Sequence, residues 1–503
     1  MSGLLHKHLS AWFGAPERFG SLVDGELLQG HGATVEIIDP ASATPLLEYR
    51  DCAAPGTLDA IDAAERGFSA WQAVTASARG RVLWRMGELI RQRAESLAIL
   101  EAVVAGKPIR DTRVEVLKVA EMFDYYAGWA DKLHGDVIPV PTSHLNYTRR
   151  EALGVVAQIT PWNAPIFTAG WQLAPALAAG NAVVLKPSEL TPVTSVCLGL
   201  LLHEAGLPNG AVNVLAGLGQ TVGHTLVAES RIAKTIFVGS PETGRAIAET
   251  AARNLRPCLL ELGGKSANIV FPDADLHRAA KGAQAACFAA AGQSCTAGSR
   301  LLVHRRVAEP LLDLVVGGAK RLKVGAPLDE TTEIGPINNA RQFERISKMV
   351  ADGRSAGVQV LTGGGRPDGA GDGYFYAPTV LGGVTADMTV AREEIFGPVL
   401  SCLLFDDEEE ALALANHSPF DLAGAVWTAD VGRAHRVAAR VRAGSFWING
   451  YRTLSVMSPF GGMHGSGYGR SSGYEGLLEY TQPKSVWVET ASDAPQPFGY
   501  ADD

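Results

Sequence analysis

Three short segments carry side chains suited to chemistry at a carbonyl carbon. In residues 292–300, GQSCTAGSR, Cys295 stands among small polar residues where a helical stretch gives way to a strand. A free cysteine has a pKa near ~8.5, so only a few per cent is thiolate at neutral pH, and a nucleophilic one needs a base or dipole beside it. In residues 261–266, ELGGKS, Glu261 is a carboxylate at the end of an apolar run, followed by two glycines, where a doubly wound domain does its chemistry. In residues 161–165, PWNAP, two prolines hold Asn163 in a turn, where its amide can donate to a developing oxyanion. Taken singly, each has a plainer account: a structural cysteine, a solvated or capping carboxylate, a turn asparagine. The other five cysteines, Cys52, Cys197, Cys258, Cys287 and Cys402, keep that plainer account. They are scattered, with no C-x-x-C pair, which argues against zinc or a disulfide framework and for reduced thiols in the cytoplasm.

The elements that must position these groups follow from hydrophobic periodicity. Residues 57–72 place Leu58, Ile61, Phe68 and Trp71 on one helical face, and 81–104 repeat the pattern from Val82 to Val104. The first part of the chain is therefore expected to be largely helical. From residue 154, short apolar runs at 154–160, 182–186, 212–215, 234–238 and 258–262 alternate with helical stretches. That rhythm predicts right-handed βαβ crossovers and a doubly wound, Rossmann-like parallel sheet, with ligands bound beyond the strands' carboxyl ends. A second α/β alternation begins after about residue 263, with strands expected at 267–271, 299–303, 399–404, 424–428 and 445–448. Residues 363–373, GGGRPDGAGDG, read as a surface loop.

On this layout PWNAP follows the first strand and Glu261 ends the fifth. After the second strand comes KPSE, 186–189, where Lys186 and Glu189 are placed to meet the ribose hydroxyls of an adenosine. After the fourth comes FVGSPETG, 237–244, whose Gly239 and Ser240 precede a helix N-terminus suited to phosphate. The G-x-G-x-x-G turn of ordinary dinucleotide folds is absent after the first strand.

Composition narrows the partners. The 503 residues carry 44 Lys and Arg against 53 Asp and Glu, a net charge of −9 with no basic block, which disfavours nucleic acid and anionic membranes. There is no run of 18 apolar residues and no secretion signal is read at the start, so a cytoplasmic protein is expected.

In order along the chain, PWNAP, KPSE, FVGSPETG, ELGGKS, GQSCTAGSR, EEIFGPV (393–399) and PFGGMHGSGYGR (459–470) resemble the signatures of the NAD(P)-dependent, non-acylating aldehyde dehydrogenases. Each motif is weak alone, but seven in order over nearly the whole chain make coincidence negligible. The resemblance implies oxidation of an aldehyde to a carboxylic acid: Cys295 as nucleophile, Glu261 as the base that activates water, and Asn163 as an oxyanion donor. It implies NAD contacts from Trp162, Lys186, Glu189, Gly239, Ser240, Gly244, Glu394 and Phe396. Glu189 leans towards NAD, although relatives with the same K-P-S-E motif accept NADP. No metal is expected.

The resemblance also implies that Trp171, Leu454 and Phe460 line a substrate tunnel with Arg452 in the loop at its mouth. Arg452 has two readings, a partner for a remote carboxylate or a solvated or subunit-contact residue. An acylating relative that uses coenzyme A usually lacks a match for Glu261, and a catalytically silent relative would be expected to lose Cys295 or Glu261. Three residues depart from the usual pattern: Val238 for threonine, His464 for lysine and Ser471 for glutamate. The implied architecture is an NAD-binding domain of residues 1–131 and 152–263 and a catalytic domain of 264–481. A small β bridging unit of 132–151 and 482–495 would pair subunits into a homodimer or homotetramer.

Overall fold

A computed structural model describes residues 2–493. Five parallel strands form the centre of an eight-stranded sheet, in the spatial order Cys258–Glu261, Ile232–Val238, Val155–Ile159, Ala182–Lys186, Val212–Val214. The spatial order reverses at Val155–Ile159, which makes this a doubly wound sheet whose ligand crevice lies at the carboxyl ends of its strands. These strands are buried on both faces, which is why they read as unbroken apolar runs rather than alternating ones. Antiparallel strands close both edges: Gly467–Tyr468 beside Cys258–Glu261, and Ser21–Val23 with Glu26–Leu28 beyond Val212–Val214.

The second sheet has seven strands, six of them parallel: Thr379–Gly382, Val399–Phe405, Arg300–His304, Ala267–Val270, Ala423–Trp427 and Ser445–Ile448. Gln359–Thr362 runs antiparallel at its edge. A third, antiparallel sheet joins Thr481–Glu489 to His144–Ala152 and Val137–Ile138. Residues 494 and 495, assigned to this unit from sequence, lie outside the described residues. Residues 363–373 contain neither helix nor strand.

Several expectations need correction. The first 50 residues are not mainly helical; four strands lie at Ser21–Val23, Glu26–Leu28, Thr34–Asp39 and Thr44–Arg50. They are short, and their partners are each other or a distant sheet edge, so periodicity alone does not reveal them. The stretch 81–104 is two helices, Ala76–Gln92 and Ala94–Ala105, broken at Arg93 (φ −106°, ψ 12°). In the first of these the inward face is Leu83, Met86 and Ile90, with Val82 only half-buried. The second is buried on all sides from Leu97 to Ala105. Leu58 is exposed, because the helix Ala53–Ala73 turns Thr57, Ala60, Ile61 and Ala64 inward instead. The strands Gln359–Thr362 and Thr379–Gly382 are additions to the sequence reading.

Candidate active site

Three carboxyl ends of the first sheet and the segments around Cys295, Gln342, Glu394, Phe420 and Leu454 open onto one cavity of about 1080 Å³. Trp162, Asn163, Ser240, Glu261, Cys295 and Glu394 are all in its wall. After Val155–Ile159, Pro161 and Pro165 bracket the turn, and Pro165 stands at the first helical position of Pro165–Ala178, where its missing N–H and preset φ are no handicap. Asn163 is thereby held at the helix entrance. Its Nδ2 donates to the Gln293 carbonyl at 2.8 Å, two residues before Cys295. One N–H of that amide is thus engaged, and the other is free to donate.

The segment that carries Cys295 follows Leu276–Phe288 through a turn in which Ala290, Ala291 and Gly292 take φ of 52°, 53° and 71°. Two alanines in left-handed backbone are costly, and such strain is kept where the surroundings impose it. Gln293 supplies part of that constraint: its Oε1 accepts from the Asn338 backbone N–H at 2.9 Å, while its carbonyl takes the Asn163 bond. Cys295 follows, half-buried in the cavity wall. Burial, with the Glu394 and Glu261 carboxylates adding to it, pushes its thiol up to about 12.

Glu261 is the last residue of its strand and almost fully buried. Neither carboxylate oxygen has a hydrogen-bond partner among the described residues. Burial pushes its pKa up to about 8, with Ser471 and Arg470 opposing the shift. The two glycines that follow are required by close approach. A Cβ on Gly263 would sit 2.4 Å from a Glu394 carboxylate oxygen, and one on Gly264 would sit 2.2 Å from the Cys295 carbonyl oxygen. The Gly264 N–H donates to Glu394 Oε1 at 2.8 Å, so this turn ties the carboxylate at 394 to the segments of Glu261 and Cys295. Burial raises Glu394 to about 7.

Beyond Ile232–Val238, Ser240 caps the 13-residue helix Pro241–Arg253, accepting from the Thr243 N–H at 3.3 Å. Gly239 lines the cavity beside it; Gly244 is buried in the helix, where a Cβ would meet Leu262 at 2.7 Å. Phe396 (φ 58°) stands edge-on to Trp162 with centroids 5.4 Å apart. Lys186 and Glu189 are not in the cavity wall itself. They pair with each other at 2.8 Å at the end of Ala182–Lys186, the strand beside the one that leads to PWNAP. Burial alone would raise Glu189, but the Lys186 ammonium outweighs it and holds the carboxyl below its usual range.

Trp171, Phe460, Leu454 and Arg452 line the same cavity. Trp171 and Phe460 are in edge contact at 5.0 Å, and Trp171 Nε1 donates to the Ser472 hydroxyl. Of the departures, Val238 lines the cavity but His464 does not; its Nδ1 contacts Asp421 Oδ2 at 2.6 Å. Ser471 is buried and accepts from Gln172 Nε2 at 3.1 Å.

Several cavity residues escaped the sequence reading. Glu115, on the helix Ile109–Ala127, reaches the cavity while ion-paired to the buried Lys107. Gln342 Nε2 donates to the carbonyls of Ile395 and Phe396, at 2.9 Å each, and Arg345 Nη2 to that of Glu394 at 2.9 Å. Gln342 and Arg345 sit in an ordinary amphipathic helix, Ala340–Ser355, with no local signal to mark them.

A thiol, a buried carboxylate and a fixed amide donor thus share one cavity at the carboxyl ends of a doubly wound sheet, beside a helix N-terminus, the layout of an α/β enzyme with a dinucleotide-type fold. The comparisons make the assignment specific. The sequence pattern of the aldehyde dehydrogenase family matches residues 28–486, and the chain belongs to that family. It is 40% identical to the putative aldehyde dehydrogenase DhaS of Bacillus subtilis (strain 168), over 93% of this chain and 94% of that protein. It is 42% identical to retinal dehydrogenase 2 of Homo sapiens, over 91% of this chain and 89% of that protein. Among solved structures, betaine aldehyde dehydrogenase from Staphylococcus aureus in complex with NAD+ superimposes with a TM-score of 0.95 at 35% identity, covering 98% of each chain. The protein is thus an aldehyde dehydrogenase, an enzyme of aldehyde oxidation.

Proposed function

We propose that Cys295, Glu261 and Asn163 carry out NAD-dependent oxidation of an aldehyde to its acid, through a thioester on Cys295 that water releases. The observation that carries this reading is the convergence of all three groups on one cavity that also receives the helix N-terminus at Ser240.

Burial and the neighbouring carboxylates push the Cys295 thiol up to about 12, so its proton passes to water in the cavity as the sulfur attacks. Its sulfur bonds to the aldehyde carbon and the carbonyl oxygen takes the negative charge. The free N–H of Asn163 and the Cys295 backbone N–H are the donors for that oxygen; losing one such donor typically costs ~10²–10³ in rate. NAD, when bound, accepts the hydride that leaves this carbon. Glu261, as carboxylate, then takes a proton from water, the resulting hydroxide attacks the thioester carbon, and the C–S bond breaks to regenerate Cys295 and release the acid.

The residues present fit the dinucleotide. Ser240 lines the cavity at the N-terminus of its helix, whose dipole would stabilise a pyrophosphate there. Glu394 Oε1 is fixed by Gly264, which orients the carboxylate for the nicotinamide ribose. Trp162 and Phe396 flank the nicotinamide side, Gly239 and Gly244 keep the turn and helix close, and Lys186 with Glu189 binds the adenosine ribose. A carboxylate at Glu189 repels a 2′-phosphate, so NAD is favoured over NADP. Trp171, Leu454 and Phe460 form the substrate wall.

In this reading residues 1–131 and 152–263 are the NAD-binding domain, 264–481 the catalytic domain, and 132–151 with 482–495 a bridging unit. Exposed Val137, Leu145, Trp487 and Val488 on the third sheet support its use in a homodimer or homotetramer. No helix of the described residues is long and apolar enough to cross a membrane. The six free thiols support a cytoplasmic location.

The test is to mix the protein with NAD and an aldehyde and acid-quench it within the first turnover. A Cys295-linked acyl mass formed together with NADH is expected. NADH without any acyl-enzyme would remove the covalent mechanism.

A further inference from the structure

We infer that the substrate aldehyde carries a carboxylate at the end remote from the reacting carbonyl, held by Arg452. The inference rests on the aldehyde-oxidising reading of the site and deepens it. It begins with how the loop is fixed. Trp447 stacks on Tyr451 with centroids 4.7 Å apart, and its Nε1 donates to the Thr453 carbonyl at 3.0 Å. The Tyr451 hydroxyl donates to the Thr296 carbonyl at 3.1 Å, one residue past the nucleophile. Arg452 is therefore gripped on both sides, and its backbone sits at φ 63°, a left-handed conformation that costs a non-glycine residue energy.

The side chain so positioned lines the cavity yet is left almost unpaired. Its one hydrogen bond is a long one, Nη1 to the Ala285 carbonyl at 3.4 Å. Among the described residues, no carboxylate forms an ion pair with it within 4.0 Å. Other arginines of the same part of the chain are engaged: Arg433 pairs with Asp273, Arg442 with Asp421, and buried Arg300 donates to the carbonyls of Lys265, Leu414 and Ala415. Arg452 alone of these keeps most of its five donors for a ligand.

The rest of the substrate wall is consistent with an anion at one end only. Glu115, a carboxylate of the cavity wall, is already engaged by Lys107. Phe167, Trp171, Leu454 and Phe460 offer an apolar surface to a carbon chain. The other arginines of the cavity wall, Arg245, Arg345 and Arg392, stand on or against the segments of Ser240 and Glu394, so Arg452 is the cation that shares a segment with Leu454 and Phe460, and guanidinium meets carboxylate through two parallel N–H bonds.

The experiment compares succinic semialdehyde with butanal, its uncharged four-carbon counterpart, at saturating NAD. Wild type, Arg452→Gln and Arg452→Lys are assayed, and the assembly state of each is measured by sedimentation. Wild type should show the higher kcat/KM with succinic semialdehyde. Arg452→Gln should reduce that preference about ten- to hundredfold, mainly through KM, since a charge-assisted pair is lost. Arg452→Lys should recover part of it, keeping the charge without the fork. Assembly should be the same in all three. Equal losses on both aldehydes, no preference in wild type, or dissociation of the variant would overturn the inference. Butanal oxidation by wild type separates the two levels: turnover without a charge preference removes the substrate assignment alone, whereas no NADH from either aldehyde removes the reaction reading too.

Discussion

Replacing Glu261 by glutamine separates the two halves of the reaction. The carboxylate is buried, has no hydrogen-bond partner among the described residues, and is pushed up to about 8 by that burial. At pH 7 only about one tenth of it is ionised and at pH 9 about nine tenths, so thioester hydrolysis in wild type should rise about tenfold between them. Hydride transfer does not need this base once the thiolate has added. Glu261→Gln should therefore retain a single-turnover burst of NADH, then stall, with hydrolysis slower by ~10²–10⁴. Stopped-flow absorbance at the NADH band reads the burst, and acid-quenched mass spectrometry reads the acyl group on Cys295. The same burial has a sign in stability. From the ordinary glutamate range up to about 8 the folded state holds a proton that the unfolded chain has released, so stability is lost as pH rises through that window. Glutamine has no such penalty, and the melting temperature of the variant should gain on wild type from pH 5 to 8. A variant with neither burst nor acyl-enzyme would refute the assignment of Glu261 to the water step. So would wild-type hydrolysis that stays flat from pH 6 to 9.

Cys295→Ala should abolish aldehyde oxidation while NAD affinity, followed by fluorescence titration, changes less than about threefold, because no dinucleotide contact is removed. Normal turnover would end the proposed mechanism. Glu189→Ser removes the carboxylate held by Lys186 at 2.8 Å and should narrow the ratio of kcat/KM for NAD over NADP; a wild type that already prefers NADP would show that this carboxylate does not face the 2′-position. Gly264→Ala places a methyl 2.2 Å from the Cys295 carbonyl oxygen. It should cost about 1–3 kcal/mol in denaturant unfolding and lower kcat as the nucleophile shifts. An active variant of wild-type stability would mean that the turn relaxes freely.

The parts of this protein legible in its sequence are those whose cause is local. Unbroken apolar runs such as Ala182–Lys186 are strands because both faces are covered, and that requirement is written in the residues themselves. The order of PWNAP, ELGGKS and GQSCTAGSR marks three chemical groups, and the resemblance they carry names the reaction. What tertiary structure decided has its cause in distant residues. Ser21–Val23 is a strand because the edge of Val212–Val214 accepts it. Arg93 breaks what the sequence offers as one long helix, since the following turns must be buried on every side. Glu115 reaches the cavity through a pairing with Lys107, and Arg345 reaches Glu394 from a helix whose own pattern is ordinary. The raised pKa values of Cys295 and Glu261 belong to no motif. They arise because folding removes water from both groups and sets carboxylates beside the thiol, an environment that exists only once segments a hundred or more residues apart have closed around it.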